Sequence, residues 1–110
     1  MSDQIFPYAW PDFVKTIIGI LSDGALHSTQ ELRTRVVRAH SIRVEHLRIT
    51  QADGQNIFVN TVAQVFAGLS SRQAAQRKWT ESGDAAYQMT RQGLEVVSRV
   101  GREQVTINDF

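Results

Sequence analysis

The sequence predicts a mainly α-helical domain with one small β-hairpin, and three observations support that fold class. Apolar residues recur at helical spacing in three long segments, two short extended segments flank a turn at 82–84, and a further helical segment follows. With 110 residues, the chain has the usual length of one domain. We expect that domain to cover residues 8–100, with a flexible lead at 1–9 and a flexible polar tail at 101–110.

Two helices are predicted in the first half of the chain. The first covers about 11–22 and ends at the turn 23–24, where glycine tolerates the left-handed backbone. A short extended link, which can pair as a minor strand, leads to the second helix. Ser28 or the threonine after it begins this helix, because Glu31 stands three residues after Ser28 as a capping box requires, and the helix runs to about His40.

The third predicted helix, at about 56–72, has one apolar face and one neutral polar face. If we take about 100° per residue from Asn56, the polar strip between about 0° and 80° carries Asn60 and Gln64. The apolar half, between about 180° and 340°, is expected to face the core and contains Phe58, Val59, Val62, Ala63, Val65, Phe66 and Leu69.

A β-hairpin and a last helix complete the pattern. The hairpin strands lie near 77–80 and 86–89, and strand alternation puts Trp79 on the core-facing side. Thr90 is a good N-cap for the last helix, which Gly101 ends. Because the order is helix, short strand, helix, helix, hairpin, helix, we predict a winged helix-turn-helix.

Three sets of residues also occur in an order and spacing that a known family shares. They are Ala9-Trp10-Pro11-Asp12-Phe13 with Leu21-x-Asp23-Gly24-x-x-His27 and Glu31-Leu32; Gly54-Gln55 with Phe58 and Asn60-x-Val62; and Tyr87-x-Met89-Thr90-x-x-Gly93-x-Glu95. Over about residues 8–97 the chain resembles the N-terminal domain of Mrr-type restriction endonucleases. The resemblance implies a winged-helix domain that recognises DNA for a restriction nuclease, here without the nuclease domain.

The chain departs from that family pattern within and just after the third helix. Thr61 follows Asn60 where the family tends to have a basic residue, and Gln64-Val65 stands where it tends to have a tryptophan-alanine pair. Residues 72–74 replace the usual Ala-Gly-Leu-like exit. Since these positions lie on the helix expected to contact bases, the resemblance supports the fold more strongly than the individual base contacts.

Basic residues concentrate in the middle of the chain. Residues 28–80 carry seven arginines and one lysine against three acidic residues, and no carboxylate occurs at 54–80. Arginine and lysine neutralise phosphates, and asparagine and glutamine can bond the edge of adenine. We therefore predict double-stranded DNA as the partner, with base contacts from Asn56, Asn60, Thr61 and Gln64 and backbone contacts from Arg33, Arg35, Arg38, Arg72, Arg77 and Lys78.

The residues that catalysis would need are scarce. The chain has no cysteine, two lysines and three histidines without zinc-motif spacing, which excludes thiolate metal sites and does not indicate the carboxylate–lysine cluster of a nuclease. We expect no enzymatic activity, no cofactor and no metal. No apolar run approaches the ~20 residues of a membrane span, and no signal peptide is recognisable. We therefore expect a cytoplasmic protein without membrane association.

Two functions stay open from the sequence. A DNA-binding domain would act as a small transcriptional regulator, or as the recognition module of a restriction system that works with a separate effector protein. Alternatively, a protein-interaction module would keep the fold without contacting DNA. Val96, Val97 and Val100 exceed what one buried stripe of the last helix needs, which indicates a homodimer through that helix.

Overall fold

Helices make up about half of the part of the chain that the computed structural model describes, residues 5–110. The helices are α1 (Pro11–Leu21), α2 (Thr29–His40), α3 (Val44–Leu47), α4 (Ile57–Ser71) and α5 (Arg91–Val100). The strands are β1 (His27–Ser28), β2 (Ala75–Trp79) and β3 (Ala85–Met89), and a 3₁₀ turn follows at Ile107–Asp109. The predicted mainly α-helical class with a small β-sheet is confirmed. None of the described helices has both the length and the apolar character needed to cross a membrane.

Side-chain caps fix where three of the helices begin. The hydroxyl of Ser28 accepts a hydrogen bond from the Glu31 N–H at 3.0 Å, and Thr90 accepts one from the Gly93 N–H at 3.0 Å. Asn56 does the same for α4. Each cap satisfies a backbone donor that the helix leaves unpaired. The caps predicted at Ser28 and Thr90 are confirmed, but the Glu31 carboxylate binds His27 instead of completing a capping box.

The sheet has β3 in the middle, in the antiparallel order β1-β3-β2. Arg77 pairs with Tyr87, and Trp79 pairs with Ala85 at the end of the hairpin. Trp79 shares the face of Tyr87, as expected from strand alternation, but it is 62% exposed. The prediction of a core-facing tryptophan is therefore wrong about burial, because the hairpin extends beyond the point where Tyr87 stacks on Phe66 at 4.4 Å.

The core lies where α1 and α4 meet, with α2 and the sheet closing its sides. Phe13 of α1 and Phe58 of α4 make an edge-to-face aromatic pair with 5.9 Å between ring centroids, a favoured geometry. The largest side chains that are fully buried come from these three helices: Phe13, Ile17, Ile18, Leu21, Leu32, Val36, Val62, Val65 and Leu69. The core therefore orients α4 directly.

The segments on either side of the predicted domain pack onto it. The lead expected at 1–9 falls partly on residues 1–4, which lie outside the described residues. Phe6 is buried, with its ring centroid 6.3 Å from that of Phe58, and Val105 is 2% exposed. Single apolar side chains thus anchor parts of both segments to the core, and the division into lead, domain and tail stays a prediction.

The apolar side chains of α5 are largely used within the domain. Val97 is buried, and Val96 and Val100 are partly buried against the core. Phe110 packs on the core too and lines a cavity together with Val96. The apolar excess that indicated a homodimer through this helix is thus largely packed against the protein's own core, and the dimer stays a prediction.

The end of α4, the start of β2 and the start of α5 meet at one tight junction. The backbone N–H of Thr90 donates to the Ala74 carbonyl at 2.9 Å, and the Thr90 hydroxyl donates to the Gln73 carbonyl at 2.6 Å. Gly93 is buried against the same carbonyl of Ala74. This junction fixes the direction of the hairpin relative to α4.

His27 links β1 to α2 and to the turn after α1 through two carboxylates. Its Nδ1 lies 2.7 Å from Glu31, and its Nε2 lies 3.0 Å from Asp23, which follows α1. Both ring nitrogens donate when the imidazole is protonated. Burial lowers the pKa of His27, but the hydrogen bonds and charges of Asp23 and Glu31 outweigh it, so the pKa is raised above its ordinary 6.5.

Replacing Gly93 with alanine should destabilise the protein by about 1–3 kcal/mol, the usual cost of overpacking. The new Cβ would meet the Ala74 carbonyl oxygen and lie 2.7 Å from Cγ of Met89. Gly19→Ala is the matched control, because a Cβ there meets nothing within 4 Å and should stabilise α1 by roughly 0.5–1 kcal/mol. Urea unfolding measures the free energy of unfolding of both variants. Equal changes in the two variants would contradict the close packing of Gly93 against the Ala74 carbonyl.

The stability of the protein should fall as the pH rises through the raised pKa of His27. The stabilisation is complete below the ordinary pKa of 6.5 and disappears once the folded imidazole loses its proton. Backbone and His27 hydrogen bonds lower the pKa of Asp23 below its ordinary 3.8, so its contribution is lost only in acid. Free energies of unfolding from pH 6 to about 9 should decrease for the parent and stay flat for His27→Gln. If the free energies of unfolding of the parent and of His27→Gln changed with pH in parallel, His27 would not be the source of the pH dependence.

Candidate nucleic-acid interface

The solvent-facing side of α4 is neutral along its whole length. Asn60 is half-buried and Gln64 is exposed on the polar strip. Val59, at 41% exposure, and Ala63 are exposed beside that strip. Both apolar residues were predicted to face the core, and that prediction is wrong, because they lie at the border of the apolar half, where no other element covers them.

Asn56 lies at the start of α4 and not on its exposed face. Its Oδ1 accepts a hydrogen bond from the Val59 N–H at 3.1 Å, and its Nδ2 donates to the Leu47 carbonyl of α3 at 2.7 Å. Both ends of this half-buried amide are therefore engaged within the protein. The predicted base contact from Asn56 is replaced by a structural role that starts α4 and ties it to α3.

Thr61 is also removed from the set of base-contacting residues. It is 7% exposed, and its hydroxyl donates to the Ile57 carbonyl one turn earlier at 2.7 Å. At about 100° per residue it lies about 140° from Asn56, on the side of the helix that packs inward. The prediction of a base contact at Thr61 is wrong because the core begins at this edge of the polar strip.

Asn60 forms an exposed cluster of amides with the turn that precedes α4. Its Nδ2 donates to Oε1 of Gln51 at 2.9 Å and to Oε1 of Gln55 at 2.8 Å. The turn is closed by a hydrogen bond from the Gln51 N–H to the Gln55 carbonyl at 2.8 Å. Gln51 and Gln55 were not among the predicted site residues, because they lie in the turn before the helix and the helical periodicity that defined the polar strip does not extend to a turn.

A groove of about 200 Å³ lies between α2, α4 and the hairpin. Val59, Ala63 and Phe66 line it from α4, Tyr87 lines it from β3, and Arg33 and Arg77 line it from α2 and β2. None of its lining residues is acidic. Two of the three elements around the groove therefore present a guanidinium beside the exposed face of α4.

The predicted backbone-contacting residues do not form one patch. On α2, Arg33 reaches the groove, whereas Arg35 lies 3.6 Å from Glu31 and Arg38 is exposed on another side of the helix. Arg72 lies at the far end of α4, about 22 Å from the start of the helix, and donates to the Gly68 carbonyl at 3.2 Å.

Arg77 and Lys78 are separated by the pleat of β2, since successive side chains point to opposite faces. The Arg77 guanidinium lies 5.0 Å from the ring centre of Trp79, a cation–π contact on the groove side. The Lys78 ammonium donates to Oε1 of Gln88 at 2.6 Å on the other face. The two predicted contacts are therefore both exposed but are directed to different sides of the hairpin.

Comparison with family models, with curated proteins and with solved structures gives no match to this chain. The resemblance to Mrr-type domains therefore stays a prediction. Within residues 5–110, no group of three or more aspartate, glutamate or histidine side chains is arranged to hold a metal ion.

Asn56→Ala should destabilise the fold by about 1–2 kcal/mol, because it removes a helix cap and leaves the Leu47 carbonyl without its donor. Gln64→Ala, on the exposed face of the same helix, should change the free energy of unfolding by less than about 0.5 kcal/mol. Urea unfolding of both variants checks this. If the two substitutions have equal effects, the structural role of Asn56 is disproved.

Proposed function

We propose that the chain is a winged helix-turn-helix domain that binds double-stranded DNA and does not cleave it. Support comes from the order of elements, in which α2 and α4 are followed by the β2–β3 hairpin, and from a sheet that places β3 between β1 and β2. In this arrangement α4 enters the major groove, which is wide enough for one helix, and the hairpin serves as the wing.

The observation that carries this proposal is the pairing of a neutral exposed helix face with cations on neighbouring elements. Arg33 and Arg77 line the groove beside α4, and no acidic residue lines it. Phosphate contacts supply affinity and position the protein, whereas contacts to base edges supply specificity. In this proposal the neutral face of α4 supplies the contacts to base edges, and the guanidinium groups of α2 and β2 supply the phosphate contacts.

Asn60 and Gln64 are the proposed base-contacting residues. They lie four residues, about 6 Å, apart on one side of α4, so they can contact different base pairs along the groove. Each amide can bond adenine through N6 and N7. In the free protein the Asn60 Nδ2 group donates to both Gln51 and Gln55. Because an amide nitrogen has two hydrogens to donate, Asn60 must release one of these glutamines when it bonds adenine N7.

Arg33 and Arg77, which line the groove, are the main proposed backbone contacts, and Arg38, Lys78 and Arg72 lie outside the groove as peripheral ones. Such a protein would work in the cytoplasm as a small transcriptional regulator, or as the recognition module of a restriction system with a separate effector. Both uses require the same first step, which is binding to duplex DNA.

The double variant Arg33→Gln/Arg77→Gln should weaken duplex binding about tenfold or more at ~50 mM salt. Each lost phosphate contact should also reduce the steepness of log K against log salt by about 0.9. Fluorescence anisotropy of a labelled duplex across a range of salt concentrations measures both effects.

The matched control is Arg99→Gln/Arg102→Gln, which removes the same charge from α5 and the segment after it, outside the groove. This control should bind like the parent. Absence of duplex binding by the parent at ~50 mM salt would refute the proposed function, and equal losses in the two double variants would refute the proposed surface.

A further inference from the structure

Two apolar side chains of α4 reach solvent beside its polar strip. Val59 is 41% exposed, Ala63 is exposed, and both line the groove that holds Arg33 and Arg77. Being four residues apart, they form a second stripe parallel to the one of Asn60 and Gln64. Over residues 59–64, the exposed face of α4 therefore carries an apolar stripe beside an amide stripe.

The major groove of DNA offers one apolar group for such a stripe to contact. Among the four unmodified bases, thymine alone carries a methyl group, at C5 of the major-groove edge. The adenine of the same pair presents N6 and N7, which asparagine or glutamine can bond. A helix with an amide stripe next to an apolar stripe matches both halves of an A·T pair.

We propose that Val59 and Ala63 contact thymine methyl groups and thereby select A·T pairs in the bound site. This inference rests on the proposed function, since it requires α4 in the major groove. Charge favours DNA as the occupant of the groove, because a polyanion complements Arg33 and Arg77 where none of the lining residues is acidic. An acidic, partly apolar peptide is the competing occupant, and a failure of the protein to bind duplex DNA would favour it.

The test compares DNA with and without the thymine methyl. A pool of duplexes with a randomised central segment is amplified once with thymidine triphosphate and once with deoxyuridine triphosphate. Sites that bind the parent protein are then selected from each pool. Sites from the thymine pool should contain A·T pairs, and their uracil forms should bind about three- to tenfold more weakly for each methyl contacted.

Val59→Ser provides the matched variant, and Val44→Ser, an exposed valine of α3 outside the groove, provides its control. Val59→Ser should bring the thymine-to-uracil affinity ratio toward one, whereas Val44→Ser should leave the ratio unchanged. Urea unfolding of both variants verifies that each remains folded.

The outcomes separate the two proposals. Tight duplex binding with equal affinity for thymine and uracil forms, or selected sites without thymine, would overturn the methyl contacts and leave DNA binding intact. A failure to enrich duplexes from either pool would overturn the proposed function and this inference together, and would favour the peptide as occupant.

Discussion

The orientation of α4 about its own axis is the constraint on which the rest of the structure depends. Phe58, Val62, Val65, Phe66 and Leu69 are buried along one side of this helix, against α1 and the sheet. Protein interiors are packed as densely as organic crystals, so a rotation of α4 about its axis would open voids on one side and clashes on the other. The same packing that builds the core therefore decides which residues of α4 face solvent.

Contacts at both ends of α4 hold the helix in this orientation. At its start, Asn56 joins the helix to α3 through the Leu47 carbonyl. Near its end, Phe66 stacks on Tyr87 of the hairpin, and Thr90 bonds the backbone just after the helix. Because the hairpin is fixed to α4 in this way, the groove between them is formed by the core itself and does not need a ligand to assemble it.

Much of the fold was predictable because it follows from local rules. Helical spacing and the caps at Ser28 and Thr90 located α1, α2, α4 and α5, and the turn at 82–84 located the hairpin. It was less predictable which residues lie at the boundary between the buried and the exposed face of α4. Val59 and Thr61 lie at opposite edges of the polar strip, and a helical wheel cannot tell which neighbouring element covers each edge.

The candidate site was less predictable than the fold for a related reason. Asn56 is an asparagine on the same stripe of the predicted helix as Asn60. Its role is nevertheless structural, because its side chain caps α4 and bonds the Leu47 carbonyl. Trp79 looked like a core residue because of its apolar side chain, but exposure depends on how far the hairpin extends past Tyr87. Residue type indicates what a side chain can do, and the packing of distant segments determines whether it is free to do it.

The division between a neutral α4 and cations on other elements bears on the proposed function. Phosphate contacts position a protein on DNA but carry no base information, so cations on a recognition helix that contacted phosphates would add affinity without adding specificity. Arg33 and Arg77 belong to α2 and β2. Under the proposed function, changes at these two positions would therefore alter affinity and leave the exposed side chains of α4 in place, whereas changes on α4 would alter the bases selected and leave the proposed phosphate contacts in place. The core that joins these elements would then allow affinity and specificity to vary separately in one small domain.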